Sequence, residues 1–144
     1  MRSQPRLFHL LNQARQALLT RANAETVAQL DITVSQMVCL FQLVQQGASR
    51  PTELSAALAL DPAAITRVVA RLEEKGLVRR TEHAADGRSR LVDVTAAGRE
   101  RARRGLAVLA KANAALTQGF DDEEIRTVAR FLEHAIALGR GTSS

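Results

Sequence analysis

The sequence predicts a mainly α-helical chain interrupted by one two-stranded β-hairpin. Three observations lead there. Apolar residues recur at three- and four-residue spacing along most of the 144 residues, as helices with one buried stripe require. Ala and Leu carry much of that apolar content, and the aromatics are four Phe (Phe8, Phe41, Phe120, Phe131) with no Trp or Tyr. That mix favours helix over sheet. Only between Leu77 and Val94 does the period change to that of strands. The length suits one domain, residues 1–144.

A first helix is expected over residues 6–29, with Leu7, Leu10, Leu11, Ala14, Leu18 and Ala22 on one stripe. Thr33 and Gln36 have the spacing of a capping box and open a second helix. Val34, Met37, Val38, Phe41 and Val44 are its expected inner side, and Gly47 its stop. Pro51 fits the first turn of a short third helix with Leu54, Ala57 and Leu58 inward. Asp61 then caps, and Pro62 opens, a fourth helix that ends at Gly76. Ile65, Val68, Val69 and Leu72 share one of its faces; Ala63, Thr66, Arg67, Ala70, Arg71 and Glu74 share the other.

Leu77–Glu82 and Leu91–Val94 read as strands joined by a polar, basic tip, His83–Arg90, that contains Asp86-Gly87. Thr95 caps a long helix from Gly98 to about Gln118, with Ala102, Leu106, Leu109 and Leu116 apolar. Arg99, Arg101, Arg103 and Arg104 crowd its first turns, where cations oppose the helix dipole, so packing, acidic neighbours or phosphates must compensate. The Asp121–Glu124 run is the reverse case. It suits the start of a last helix, 121–138, and reads as structural.

Charge is the first functional clue. Twenty basic residues, eighteen of them Arg, face fifteen acidic ones, for a net charge of +5. Arg donates paired hydrogen bonds to phosphate and to guanine, so the excess points to a polyanionic partner, although a coding bias toward Arg would produce the same count. Several classes are excluded. No apolar run approaches the ~18 residues of a membrane span. The N-terminus lacks a secretory pattern, and the single Cys39 suits a reducing, cytoplasmic setting. His9, His83 and His134 have no ligand spacing, so no metal or other cofactor is expected. There is no His-paired nucleophile or phosphate-binding Gly loop, which argues against an enzyme. Without Tyr or Trp there is no stacking platform for single-stranded nucleic acid.

Short helix, turn, capped helix and basic hairpin is the order of a winged helix-turn-helix, over residues 33–95. A helix entering a major groove needs small residues at its start, which Ala63 and Ala64 supply. Thr66 is placed for a phosphate or a base edge, and Arg67 and Arg71 for guanine or phosphate. Arg88 on the hairpin tip is placed for the DNA backbone or the minor groove. Of Arg79 and Arg80, one is expected toward the core edge and one toward solvent.

The segment Asp86-Gly-Arg-Ser-Arg-Leu-Val-Asp-Val-Thr95-Ala-Ala-Gly98 resembles the wing signature of the MarR family of transcriptional regulators, D-x-R, a strand, then L-T-x-x-G, with Val94 in place of the usual Leu. Ile65-Thr-Arg-Val-Val-Ala-Arg-Leu-Glu-Glu-Lys-Gly-Leu-Val78 is similar to that family's recognition helix and its exit. The resemblance implies a cytoplasmic homodimer whose dimerisation helices would be residues 6–29 and 99–138. It implies a repressor of palindromic double-stranded DNA, released by a phenolic or carboxylate small molecule. It further implies that Arg88 probes the minor groove, that Asp86 orients it, and that Ser89 and Arg90 meet phosphates. Arg15, with His9 on the same helix, is the candidate effector contact, although its stem also lets it reach solvent. Two rival readings are a winged-helix interaction module that does not bind DNA, and a thiol-redox regulator using Cys39. The apolar run Met37-Val-Cys-Leu-Phe41 favours a buried, inert thiol.

Overall fold

The structure, a computed structural model, describes residues 6–82 and 90–141. The expected sites Asp86, Arg88 and Ser89 lie outside the described residues. The elements run α1 (Leu7–Leu30), α2 (Val34–Gln46), α3 (Pro51–Leu58), α4 (Pro62–Glu74), β1 (Val78–Glu82), β2 (Arg90–Val94), α5 (Ala96–Thr117) and α6 (Asp122–Gly139). The chain divides into two compact units, Met1–Leu109 and Ala110–Ser144, with the division inside α5. No single helix is long and apolar enough to cross a membrane.

The first unit is built around Ile32, Leu40, Leu43, Leu54, Ile65, Leu72, Leu77 and Val92, all essentially buried. α2, α3, α4 and the hairpin each contribute to this cluster. Local chemistry sets the boundaries. The Thr33 hydroxyl accepts from Gln36 N at 3.2 Å, and the Gln36 side chain accepts from Thr33 N at 3.0 Å. The Asn23 side chain satisfies a further free donor of α2, Val34 N, at 2.9 Å. Gly47 and Gly76 stop α2 and α4 at positive φ, 83° and 70°.

β1 and β2 pair antiparallel from Val78 opposite Val94 to Glu82 opposite Arg90. A short bridge joins Ser49 to β2: Ser49 N donates to Val92 O at 2.9 Å and Val92 N to Ser49 O at 2.8 Å. This pairing ties the chain between α2 and α3 to the hairpin, so the wing stem and the helix-turn-helix share backbone bonds.

Three inner faces differ from the expectation. α2 buries Gln36, Met37, Cys39, Leu40 and Leu43, and leaves Val38 and Val44 exposed. Its run of consecutive apolar residues allows more than one stripe, and packing selects among them. Ala57 of α3 is exposed beside buried Leu54. In α1 the expected stripe is largely uncovered, with Leu7, Leu10 and Leu18 exposed and only Thr26 and Leu30 buried.

The Arg crowd at the start of α5, which begins at Ala96 rather than Gly98, is compensated at the far end of α1. Arg104 donates to Gln29 O at 2.7 Å, and Arg101 donates to Leu30 O. Lys75 donates to Asp31 O at 2.6 Å and to the Asp31 carboxylate at 2.9 Å. α1 has no basic residue in its own last turn, so its terminal carbonyls and dipole are served by cations from α4's cap and from α5. Arg103 pairs with Glu100 at 2.6 Å and holds that carboxyl below its ordinary pKa. Lys75 likewise lowers Asp31.

In the second unit, Asp121 and Glu124 form a reciprocal cap at the start of α6, with bonds of 2.8 and 2.9 Å. Two of the four carboxylates of the acidic run thus cap α6, as expected. Within the chain α6 buries none of its residues, and Val128, Phe131, Leu132 and Ile136 stand exposed.

α5 leaves the hairpin through a tight contact at Gly98. Thr95 donates to Gly76 O at 2.7 Å and accepts from Gly98 N at 3.1 Å. A Cβ on Gly98 would lie 2.6 Å from Val94 Cγ2 and closer still to the Leu77 carbonyl. Gly98→Ala is therefore expected to cost roughly 1–3 kcal/mol in urea unfolding, because backbone must move to admit the methyl.

Candidate nucleic-acid interface

The candidate interface lies on the α3–α4 pair. The turn between them passes through Ala59 in the left-handed region, φ 52°, a conformation costing a non-glycine residue about 1–2 kcal/mol. Two local bonds hold it: Leu60 N donates to Ser55 O at 3.2 Å, and the Ser55 hydroxyl donates to Leu60 O. Asp61 follows with extended backbone and accepts from Ala64 N at 2.7 Å. Pro62 occupies the first turn, where a missing N–H costs nothing.

From that start, the 3.6-residue period sorts the side chains. Ile65, Val69 and Leu72 are buried, with Val68 partly covered. Ala63, Thr66, Arg67 and Arg71 are exposed and Ala64 is half-buried. The expected outward face is thus brought together on one helix. Its residues are not equally free. Arg67 makes no hydrogen bond or ion pair among the described residues. Arg71 reaches Glu74 at 3.3 Å, both exposed, an ion pair of a kind worth only a few tenths of a kcal/mol and easily exchanged for a phosphate. The Thr66 hydroxyl donates back to Pro62 O at 2.9 Å. With its proton engaged, Thr66 offers a methyl and an acceptor oxygen, which suit a base edge better than a phosphate.

The wing stem adds cations beside this helix. Arg79 stands opposite Asp93, and Arg90 opposite Glu82, all but Asp93 exposed. The expected split between the pair is present: Arg80 shares a face with Val78 and stands opposite buried Val92, at the edge of the core, while Arg79 points to the other face. The Arg80 guanidinium approaches Glu73 of α4 at 3.6 Å. Sequence reasoning missed the Ser49–Val92 bridge, for which the sequence carries no signal beyond its place between Gly47 and Pro51.

The other candidates lie on other elements. Arg15 and His9 both stand exposed on α1. A cavity of about 440 Å³ lies in the second unit, lined by Phe120, Asp121, Glu123, Glu124, Thr127 and Val128, without either of them. Cys39 is fully buried, and burial pushes its thiol pKa up to about 11. Among the described residues, no three His, Cys, Asp or Glu side chains converge to hold a metal ion.

Comparison with known proteins bears on what this surface does. Residues 32–89 match the MarR family model. That span takes in α2, α3, α4 and β1 and runs on into the hairpin tip. The Escherichia coli multiple antibiotic resistance protein MarR is 37% identical over 93 residues, which is 65% of this chain and 62% of that protein. A mutant of that protein solved in complex with operator DNA superposes with a TM-score of 0.76 at 30% identity, covering 90% of this chain and 91% of the other. An HTH-type transcriptional repressor of Mycobacterium tuberculosis is 31% identical over 117 residues, 81% of this chain and 84% of its own. BpsR of Bordetella bronchiseptica, whose DNA binding is regulated by 6-hydroxynicotinic acid, superposes with a TM-score of 0.79 at 26% identity, covering 90% and 97%. The two curated relatives carry the names of a resistance protein and a transcriptional repressor, and neither is named as an enzyme.

The state of Cys39 yields a direct expectation. A thiol with a raised pKa is protonated and stabilising below its ordinary value, and that contribution is lost as pH climbs toward 11. Native protein at pH 8 should therefore react with a thiol reagent far more slowly than denatured protein. Equal rates would show the thiol to be accessible and reopen the redox reading.

Proposed function

Because the chain belongs to the MarR family of transcriptional regulators, we propose that it is a homodimeric, sequence-specific repressor that binds palindromic double-stranded DNA and is released by a small phenolic or carboxylate effector. The observation that carries the DNA reading is the outward face of α4. Arg67 is uncommitted among the described residues, Arg71 is weakly paired, and Ala63 and Ala64 leave the helix start slim enough for close approach to a major groove. Arg90 and Arg79 on the wing stem extend the positive surface. Arg88, with Asp86 and Ser89, completes it in this reading, by the resemblance of the tip to the family's wing.

The dimer reading is supported by uncovered apolar surface. Leu7, Leu10 and Leu18 of α1, and separately Val128, Phe131, Leu132 and Ile136 of α6, are exposed within the chain. Apolar stripes of that kind normally meet a partner, and a two-fold dimer would present two copies of α4 to half-sites about one helical turn (~10 bp) apart. The effector reading rests on the family and on the behaviour of BpsR. Arg15 and His9 are carried forward as its candidate contacts, and the pairing of Arg15 with a carboxylate would supply the binding energy.

The test is binding to a duplex site selected by the protein from a random library. Arg67→Ala should lose ~1–3 kcal/mol and relax discrimination at one base position; equal weakening on every sequence would reduce Arg67 to a phosphate contact. Arg88→Ala should weaken binding without altering the oligomer, and unchanged affinity would remove the wing tip from the mechanism. Sedimentation should give twice the 15.6 kDa chain mass; a monomer at micromolar concentration would contradict the dimer. Affinity should fall steeply with salt, whereas an interaction module would bind duplex weakly even at low salt.

A further inference from the structure

The cap of the recognition helix is bonded to the end of α1. Lys75 follows α4 directly, and its ammonium donates both to Asp31 O at 2.6 Å and to the Asp31 carboxylate at 2.9 Å. These residues are 44 positions apart in sequence. Asp31 is the residue on which α1 ends, held at φ 56°, where its carbonyl has no helical partner. Lys75 is comparatively sheltered for a surface lysine, its side chain 29% exposed. Arg101 and Arg104 bond the neighbouring carbonyls, Leu30 O and Gln29 O, but they come from α5. Of the three cations on this helix end, Lys75 alone belongs to the DNA-reading element.

We propose that the Lys75–Asp31 contact is a positioning latch, which sets the angle of α4 relative to α1 and thereby the operator spacing that the regulator accepts. This rests on the reading that α4 enters the major groove and that α1 lies in the dimer seam. α1 then relates the protomer to its two-fold axis, and α4 relates it to its half-site. A bond from the foot of α4 to the end of α1 limits how far the two half-sites can move apart or together. Neither residue needs to touch DNA. The latch does not supply base contacts; it narrows the set of geometries in which both recognition helices are seated at once.

The charges make the idea separable from simple electrostatics. Removing Asp31 makes the protein more positive, so long-range attraction alone would strengthen its hold on any duplex. Removing Lys75 does the opposite. A latch predicts the same change from both: loss of spacing discrimination. Asp31→Gly suits this test because glycine accepts the positive φ without strain, and Lys75→Met keeps most of the apolar stem. Each variant, as full-length protein, would be titrated against the selected duplex and against versions with one base pair inserted or deleted at the centre. Thermal unfolding and oligomeric state would be measured in parallel.

In Lys75→Met, which removes both bonds, the preference for native over altered spacing should fall on the order of fivefold or more; in Asp31→Gly, which removes the carboxylate bond and keeps the carbonyl, it should fall in the same direction by less, with the dimer retained in both. Lys75→Arg, which keeps a donor cation, should recover most of it. The proposal is overturned if spacing preference is unchanged in either variant. It is also overturned if Lys75→Met weakens all duplexes equally with a reduced salt slope, the mark of a lost phosphate contact. A wild-type protein that selects no duplex at all would sink the DNA-binding reading itself; a selective wild type with equally selective variants would sink only the latch.

Discussion

The burial of Ile65, Val69 and Leu72 is the constraint on which the rest of the first unit turns. Their side chains lie on one stripe of α4, and no rotation of that helix hides them while also hiding Thr66, Arg67 and Arg71. Fully burying three such side chains is worth about 1.5–3 kcal/mol each, far more than the few tenths an exposed Arg71–Glu74 pair returns. The core therefore decides which way the arginines point. Asp61 and Pro62 decide where the helix begins, and so which residues occupy its leading turn.

The cations of this chain do two different kinds of work, and composition does not separate them. Arg101, Arg104 and Lys75 are engaged by carbonyls at the end of α1, and Arg103 by Glu100 on the exposed side of α5. Arg67, Arg79 and Arg90 face outward on the recognition helix and wing stem. A net charge of +5 thus overstates the uncommitted charge at the start of α5 and understates its concentration beside α4. The cluster at Arg99–Arg104 looks locally unfavourable only when α5 is considered alone. Arg101 and Arg104 bond the carbonyls at the negative pole of α1, which offsets their unfavourable place at the start of α5.

The hairpin and the helix-turn-helix act as one body because of a backbone bridge and a side-chain tie. Ser49 and Val92 exchange both N–H donors, and Thr95 ties the exit of β2 to Gly76 at the exit of α4. A cation on the wing stem is consequently held at a defined offset from Arg67. Such an arrangement suits recognition of a rigid duplex, whose grooves also stand at fixed separations.

Much of this was legible from residue order, because caps, prolines, glycines and periodicity act over a few residues. Thr33 with Gln36, Asp61 with Pro62, Asp121 with Glu124 and Gly76 each mark a boundary that the structure shares. The outward grouping of Ala63, Thr66, Arg67 and Arg71 follows from the helical period once that helix is identified. The inner face of α2 did not, since a nearly continuous apolar run has no unique stripe, and only the neighbours that pack on it choose Cys39, Leu40 and Leu43 over Val38 and Val44. The Ser49–Val92 bridge, the turn of Arg80 toward Glu73, and the bonding of Lys75, Arg101 and Arg104 to the end of α1 are likewise products of the tertiary structure alone. Except for the side-chain pair of Arg80 with Glu73, they join residues distant in sequence largely through backbone groups that every amino acid carries, and such groups leave no mark in a string of side chains.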